Sequence, residues 1–190
     1  MKGLRRWTKV FFFVWGFSLL GYCGYLLINS WLFQKAEIHR FEHLLAEQRG
    51  ATVLKKSVVR EGGLLGRIEI PRLGVSVMVI EGSNAADLSQ AAGHIAGTAL
   101  PGEPGNVGIS AHRDTFFRPL RNIRQNDIIT VTTLAGKYQY RVVSTQVVSP
   151  YNLTVLASNS QQILTLVTCY PFYFVGSAPN RFIVRAERVT

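Results

Sequence analysis

An uncharged, almost wholly apolar run from Val10 to Ile28 constrains this chain more than any other stretch. It holds Phe11, Phe12, Phe13, Trp15, Phe17, Leu19, Leu20, Leu26 and Leu27. About 20 such residues let a helix cross the hydrocarbon of a bilayer, and a helix satisfies its own backbone hydrogen bonds there. Lys2, Arg5, Arg6 and Lys9 precede the run and only Lys35 follows closely. That asymmetry predicts a cytoplasmic N-terminus, with everything after the span outside. A cleaved signal peptide would carry a shorter apolar region and a small-x-small site. Here Tyr22, Tyr25, Asn29 and Trp31 surround the exit, and Tyr25 and Trp31 suit an interfacial belt. The expected organisation is a basic tail over residues 1–9, a signal anchor over 10–28, a stalk helix and linker over 29–63, and a folded domain over 64–190.

Beyond the span, Ile38, Phe41, Leu44 and Leu45 recur at helical spacing between charged residues, which predicts a helix from Gln34 to Arg49. It is either a stalk or a helix packed on the domain, and Gly50 is a plausible stop. Ala51–Gly63 is polar and reads as a linker. From Leu65 the pattern turns to short β-branched runs. Gly66–Ile70 and Val75–Ile80 flank the turn Pro71-Arg72-Leu73-Gly74 and predict a hairpin. A short helix is expected over Ala85–Ala92 and a loop over Pro101–Gly105. Further strands are expected at Asn106–His112, Ile128–Thr133, Tyr138–Val148, Ile163–Cys169 and Arg181–Arg185. So many short strands with few helices imply a mainly β domain, a closed barrel or a sandwich.

Of the two cysteines, Cys23 lies inside the apolar span and Cys169 near the far end, so no intrachain disulfide is expected. The net charge of +10 fits a solvated basic surface plus the cluster before the span. Zinc-ligand spacing, ribonucleoprotein-type aromatic motifs and a helix-turn-helix pattern are all missing, so nucleic acid is not an expected partner. The scattered acids Glu81, Asp87, Glu103, Asp114 and Asp127 form no compact calcium loop. No cofactor and no metal is expected.

The chemistry concentrates at three strand edges. Leu164-Thr165-Leu166-Val167-Thr168 ends in Cys169, and Tyr170-Pro171 then breaks the strand, since proline cannot donate to a sheet ladder. His112 closes the run Val107–Ala111, and Arg181 opens the run Phe182-Ile183-Val184. A thiol, an imidazole and a guanidinium in such places are the parts of a thiol acyl-transfer site. Cys169 would attack a carbonyl carbon and form a thioester. His112 would protonate the leaving amine and deprotonate the incoming nucleophile. Arg181 cannot act as a base, but its fixed fork of donors fits a developing oxyanion or a substrate carbonyl. His94 reads as a fold residue or a support to the site. His39 and His43, four apart on the expected helix, have no third ligand nearby and read as a solvated face.

At these positions the chain resembles a sortase, a membrane-anchored cysteine transpeptidase of bacterial envelopes. The family signature Thr-Leu-x-Thr-Cys stands complete as Thr165-Leu166-Val167-Thr168-Cys169. Gly105-Asn106-Val107-Gly108-Ile109-Ser110-Ala111-His112 is similar to the segment carrying the family histidine, and Asn180-Arg181-Phe182 to the one carrying the family arginine. Cys169-Tyr170-Pro171-Phe172-Tyr173, Gly93-His94-Ile95 and Phe116-Phe117-Arg118-Pro119-Leu120 are most similar to class D sortases. The resemblance spans about Gly66 to Arg188. It implies a closed β-barrel of about eight strands with short helices. It implies His112, Cys169 and Arg181 as catalytic residues, and cleavage of a C-terminal Leu-Pro-x-Thr-Gly-type sorting signal after Thr. Its implied partners are substrate proteins bearing that signal and an accepting amine, from a peptidoglycan precursor or another protein subunit. It also implies that the loop Ser149–Gln162 lines the signal groove and that Tyr170–Asn180 borders the nucleophile.

Three other readings stay open on the residues alone. An L,D-transpeptidase would also combine Cys, His and Arg, but with arginine usually two past the cysteine, where this chain has Pro171. A papain-like amidase would place its cysteine at a helix start. A non-catalytic, membrane-tethered β-domain would bury Cys169 as core and leave it inert to thiol reagents.

Overall fold

Side-chain alternation builds the fold, and it is clearest on the strands that carry the site. The computed structural model describes residues 2–48, 62–158 and 160–189. In β4 (Gly105–Ser110) Val107 and Ile109 enter the core, and Ala111 just beyond continues their face. In β7 (Gln162–Tyr170) Leu164 and Leu166 do the same, so by the period of two Thr168 lies on the core side and Thr165, Val167 and Cys169 on the outer side. In β8 (Asn180–Arg188) Val184 and Ala186 point inward, leaving Arg181 on the outer side.

The remaining strands are β1 (Leu64–Ile70), β2 (Val75–Glu81), β3 (Ala92–His94), β5 (Ile128–Thr133) and β6 (Gly136–Val148). Eight strands close into a barrel in the order β1-β2-β3-β4-β7-β8-β6-β5. Closure leaves no open sheet edge. The pairs β2–β3 and β4–β7 are parallel, and the rest are antiparallel. The interior is filled by Ile68, Ile70, Val79, Phe117, Leu120, Ile129, Val131, Tyr140 and their neighbours. The expected hairpin is present as β1–β2. It is irregular at Gly66, where an added Cβ would come within 2.2 Å of the Thr132 carbonyl oxygen. Only glycine lets β5 approach there.

The structure extends several expectations. The short helix ends at Gln90 as α2 (Ala85–Gln90), and Ala92, expected as its last residue, instead begins the buried strand β3. β8 continues past Arg185 to Arg188, because Glu187 and Arg188 still pair with β6. Span and following helix are one element, α1 (Lys2–Gln48). Neither proline nor any other strong breaker stands between Ile28 and Gln34. The expected stop at Gly50, and Ala51 to Glu61 of the linker, lie outside the described residues. Gly62 and Gly63 are not linker: the Gly62 N–H donates to the Glu81 carbonyl, and the Glu81 N–H to the Gly63 carbonyl.

The C-terminal part of α1 is packed on the barrel. Phe41 is fully buried. The Gln34 amide bridges two backbone groups, donating to the Gln90 carbonyl at 2.6 Å and accepting from the Met78 N–H at 3.0 Å. These groups lie just where the β2–β3 ladder stops, because β3 begins only at Ala92 opposite Val79. Glu42 pairs with Arg67 at 3.4 Å. The large apolar side chains from Val10 to Tyr25, with Ile28, Trp31 and Leu32, are exposed, and α1 is long and apolar enough to cross a membrane.

Candidate active site

Three neighbouring strands bring the three sequence-derived residues together. In the parallel pair β4–β7, Ser110 is the register partner of Val167. His112 and Cys169 each lie two residues past that pair. In the antiparallel pair β7–β8, Cys169 is the register partner of Arg181. Directly opposed residues lie roughly 4.5–5.5 Å apart between Cα atoms and share a sheet face. His112, Cys169 and Arg181 line one cavity of about 320 Å³ with Arg113, Asp114, Gly176, Ser177 and Ala178.

The three residues differ in their surroundings. Cys169 is partly exposed on the outer face and makes no disulfide, which is the opposite of the inert core thiol. His112 follows β4 in a turn whose backbone is tied to β7. The Ala111 N–H donates to the Val167 carbonyl at 3.2 Å, and the Thr168 hydroxyl donates to the Ala111 carbonyl at 2.7 Å. Phe117, fully buried, donates its N–H to the His112 carbonyl and turns the chain back under the barrel. Arg181 Nη1 donates to the carbonyls of Ala178 and Asn180. Among the described residues Arg181 pairs with no carboxylate, so it is not a carboxylate clamp.

The threonines of the Thr-Leu-x-Thr-Cys run have roles that pattern alone does not reveal. Thr165 donates its hydroxyl to Asn106 Oδ1 at 2.7 Å, and Asn106 Nδ2 donates to the Val155 carbonyl at 2.9 Å. Asn106 is buried. The chain from β7 through β4 thereby fixes the one-turn helix Leu153–Leu156 of the β6–β7 loop against the outer face of the sheet. A methyl at Gly108 would already touch Leu156, Thr98 and Ile95, so two loops roof the outer face of β4 and stop short of Cys169. The available signal was a polar residue inside a buried β-branched run, which must find a partner.

His94 is absent from the cavity lining. It is 2% exposed, with Nδ1 2.7 Å from Glu81 Oε2 and Nε2 within 3.0 Å of the Ala99 carbonyl and 2.9 Å of the Thr98 hydroxyl. Thr98 in turn accepts from the Gly108 N–H. His94 is therefore a strut between β2, β3 and β4. His39 and His43 stay on α1, and no three metal-ligating side chains cluster among the described residues. A second brace ties the β1–β2 turn to the segment before β5. Arg72 Nε and Nη2 grip both carboxylate oxygens of Asp127, and Nη2 also donates to the Asn122 carbonyl. The hydrogen bonds from Arg72 hold the Asp127 carboxyl below its ordinary value.

A closed barrel with a reachable thiol beside an imidazole and a guanidinium has the makeup of a cysteine acyl-transfer enzyme. The model of the sortase domain matches residues 68–189. Sortase D of Bacillus subtilis is 27% identical over 98% of this chain and 100% of its own length. A Clostridium perfringens sortase D5 transpeptidase superposes with a TM-score of 0.67 at 28% identity, over 83% of this chain and 96% of that one. Sortase C of Clostridium perfringens SM101 gives 0.64 at 28% identity, over 80% and 85%. The chain belongs to the sortase family, whose members are cysteine transpeptidases.

Proposed function

We propose that this transpeptidase cleaves a C-terminal sorting signal of the Leu-Pro-x-Thr-Gly type after Thr and transfers the acyl group to an amine of the cell envelope. The observation that carries the reading is the convergence of His112, Cys169 and Arg181 on one cavity at the ends of β4, β7 and β8. The Cys169 sulfur attacks the Thr carbonyl carbon as its S–H proton passes to His112. A C–S bond forms, and the carbonyl oxygen takes the negative charge. Arg181, opposite Cys169 on the same face, donates to that oxygen. As the oxyanion collapses, the C–N bond breaks and His112 gives its proton to the leaving amine. An acceptor amine then attacks the thioester carbon and loses a proton to His112. The new amide forms, and the sulfur leaves. The β6–β7 loop, pinned by Asn106 and exposing Tyr151 and Leu153, lines the groove for the signal.

The enzyme is anchored by α1, with residues 1–9 cytoplasmic, 10–28 in the bilayer, and the domain over 64–190 on the outer face of a bacterial membrane. Support comes from the exposed apolar flank of the helix and the charge asymmetry around it. At its exit Lys35 Nζ stands 4.1 Å from the Trp31 ring, an aromatic–cation pair suited to the headgroup region. The packed C-terminal part of α1, up to Gln48, serves as a bracket for the barrel rather than a loose stalk.

The test uses full-length protein in detergent micelles, a panel of Leu-Pro-x-Thr-x peptides and intact-mass spectrometry. The expected result is an acyl adduct on Cys169 cut after Thr, discharged by added amine. No adduct with any peptide, with Cys169 readily alkylated, would point to another acyl donor. An inert Cys169 would remove the enzymatic role of this thiol.

A further inference from the structure

Arg113, next to His112, is a second guanidinium in the site, and the mechanism above does not use it. Its Nη2 donates to two backbone carbonyls of the β7–β8 loop, Phe174 at 2.7 Å and Gly176 at 2.9 Å. Its guanidinium carbon lies 5.9 Å from the centre of the Phe174 ring. Its Nη1 is buried and has no hydrogen-bond partner. Of the buried, unpartnered side-chain atoms among the described residues, only this one belongs to a residue that lines the cavity. A guanidinium with an unspent, desolvated donor is a site for a planar anion, and carboxylate geometry matches it.

The acyl donor offers no such anion at the reacting centre, because the scissile amide and the thioester are both neutral. The second substrate can. We propose that Arg113 recognises a free carboxylate on the amine acceptor, so that the preferred nucleophile is the side-chain amine of an amino acid whose own carboxyl group is unblocked. This rests on the transpeptidase reading above. Asp114, exposed on the same cavity wall, gives the opposite end of such a zwitterion a complementary charge. Arg181 is committed elsewhere, since it faces Cys169 and spends Nη1 on Ala178 and Asn180. Binding requires the tip of that loop, where Tyr173 is 77% and Val175 98% exposed, to shift outward and open Nη1 to the cavity.

The test compares acceptors that differ only in the carboxylate. Full-length enzyme is charged with a sorting-signal peptide and offered Nα-acetyl-lysine or Nα-acetyl-ornithine, each against its primary carboxamide, in which the side-chain amine is equally basic. For at least one pair, the carboxylate form is expected to give a transfer kcat/KM roughly tenfold higher or more, the scale of one charge-assisted hydrogen bond. Arg113→Gln should bring that ratio close to one. A purely structural strap would slow both acceptors equally and leave the ratio intact. Arg113→Lys, which keeps the charge without the fork, serves if the glutamine variant folds poorly; its ratio should fall severalfold but stay above one. A wild-type ratio near one for both pairs, or a ratio unchanged in the variants, overturns the proposal. Failure to form any thioester would strike the transpeptidase reading instead, while a thioester discharged without carboxylate preference strikes only this one.

Discussion

The Thr168 hydroxyl donates to the carbonyl of Ala111 at 2.7 Å, so the residue before the thiol holds the residue before the imidazole. The bond joins positions 57 apart in sequence and is buried, which makes it costly to break. Thr168→Val keeps the shape but leaves the Ala111 carbonyl without its partner, at about 1–3 kcal/mol. We expect lower thermal stability together with a reduced rate of acyl-enzyme formation, and recovery of both in Thr168→Ser. Calorimetry and single-turnover mass spectrometry on the same preparations would check it. A Thr168→Val enzyme as fast and as stable as wild type would refute the coupling.

Arg181→Lys should slow acylation roughly 10²–10³-fold, the range for losing one oxyanion donor. Lysine keeps the charge but not the planar fork. Cys169→Ala should form no adduct at all while its melting temperature stays close to wild type, since Cys169 is outside the core cluster. Robust turnover by the lysine variant would remove the oxyanion role.

The grip of Arg72 on Asp127 makes a statement about acid. Asp127 titrates below its ordinary value in the folded chain, chiefly through the Arg72 hydrogen bonds. Its contribution is therefore fully present above the usual carboxylate value, near 3.9, and is lost as pH falls through the depressed folded value. Asp127→Asn should lower the melting temperature at pH 7, and the gap to wild type should close on acidification. A gap independent of pH between 7 and 3 would contradict this.

How much of this was legible beforehand depended on how local the signal was. Runs such as Ile163–Cys169 and Ile128–Thr133 announce themselves, because β-branched residues in series have few other uses. The strand-edge positions of His112, Cys169 and Arg181 followed from the same reading. What stayed hidden was set by distant partners. Ala92-Gly93-His94 has no β-branched residue and is a strand only because β2 and β4 flank it. An added Cβ at Gly93 would lie 2.1 Å from the Gly82 carbonyl oxygen, a closeness that no local pattern encodes. Thr165 and Arg113 look like ordinary polar residues until Asn106 and the Phe174 carbonyl stand beside them.

His94 provides a contrast between stability and activity. Removing it as His94→Ala leaves Glu81 without its hydrogen-bond partner, at about 1–3 kcal/mol. Because His94 does not line the cavity, the fraction of the variant that remains folded at low temperature should turn over at nearly the wild-type rate per molecule. Active-site titration with a thiol reagent supplies the folded count. A large loss per titrated site would assign His94 a part in the chemistry.

The parallel pairing of β4 with β7 also has a temporal meaning. During synthesis the histidine strand emerges well before the thiol strand, and the arginine strand comes last. The cavity therefore assembles only once the barrel has closed, and an unfinished copy holds a thiol, an imidazole and a guanidinium that have not yet met.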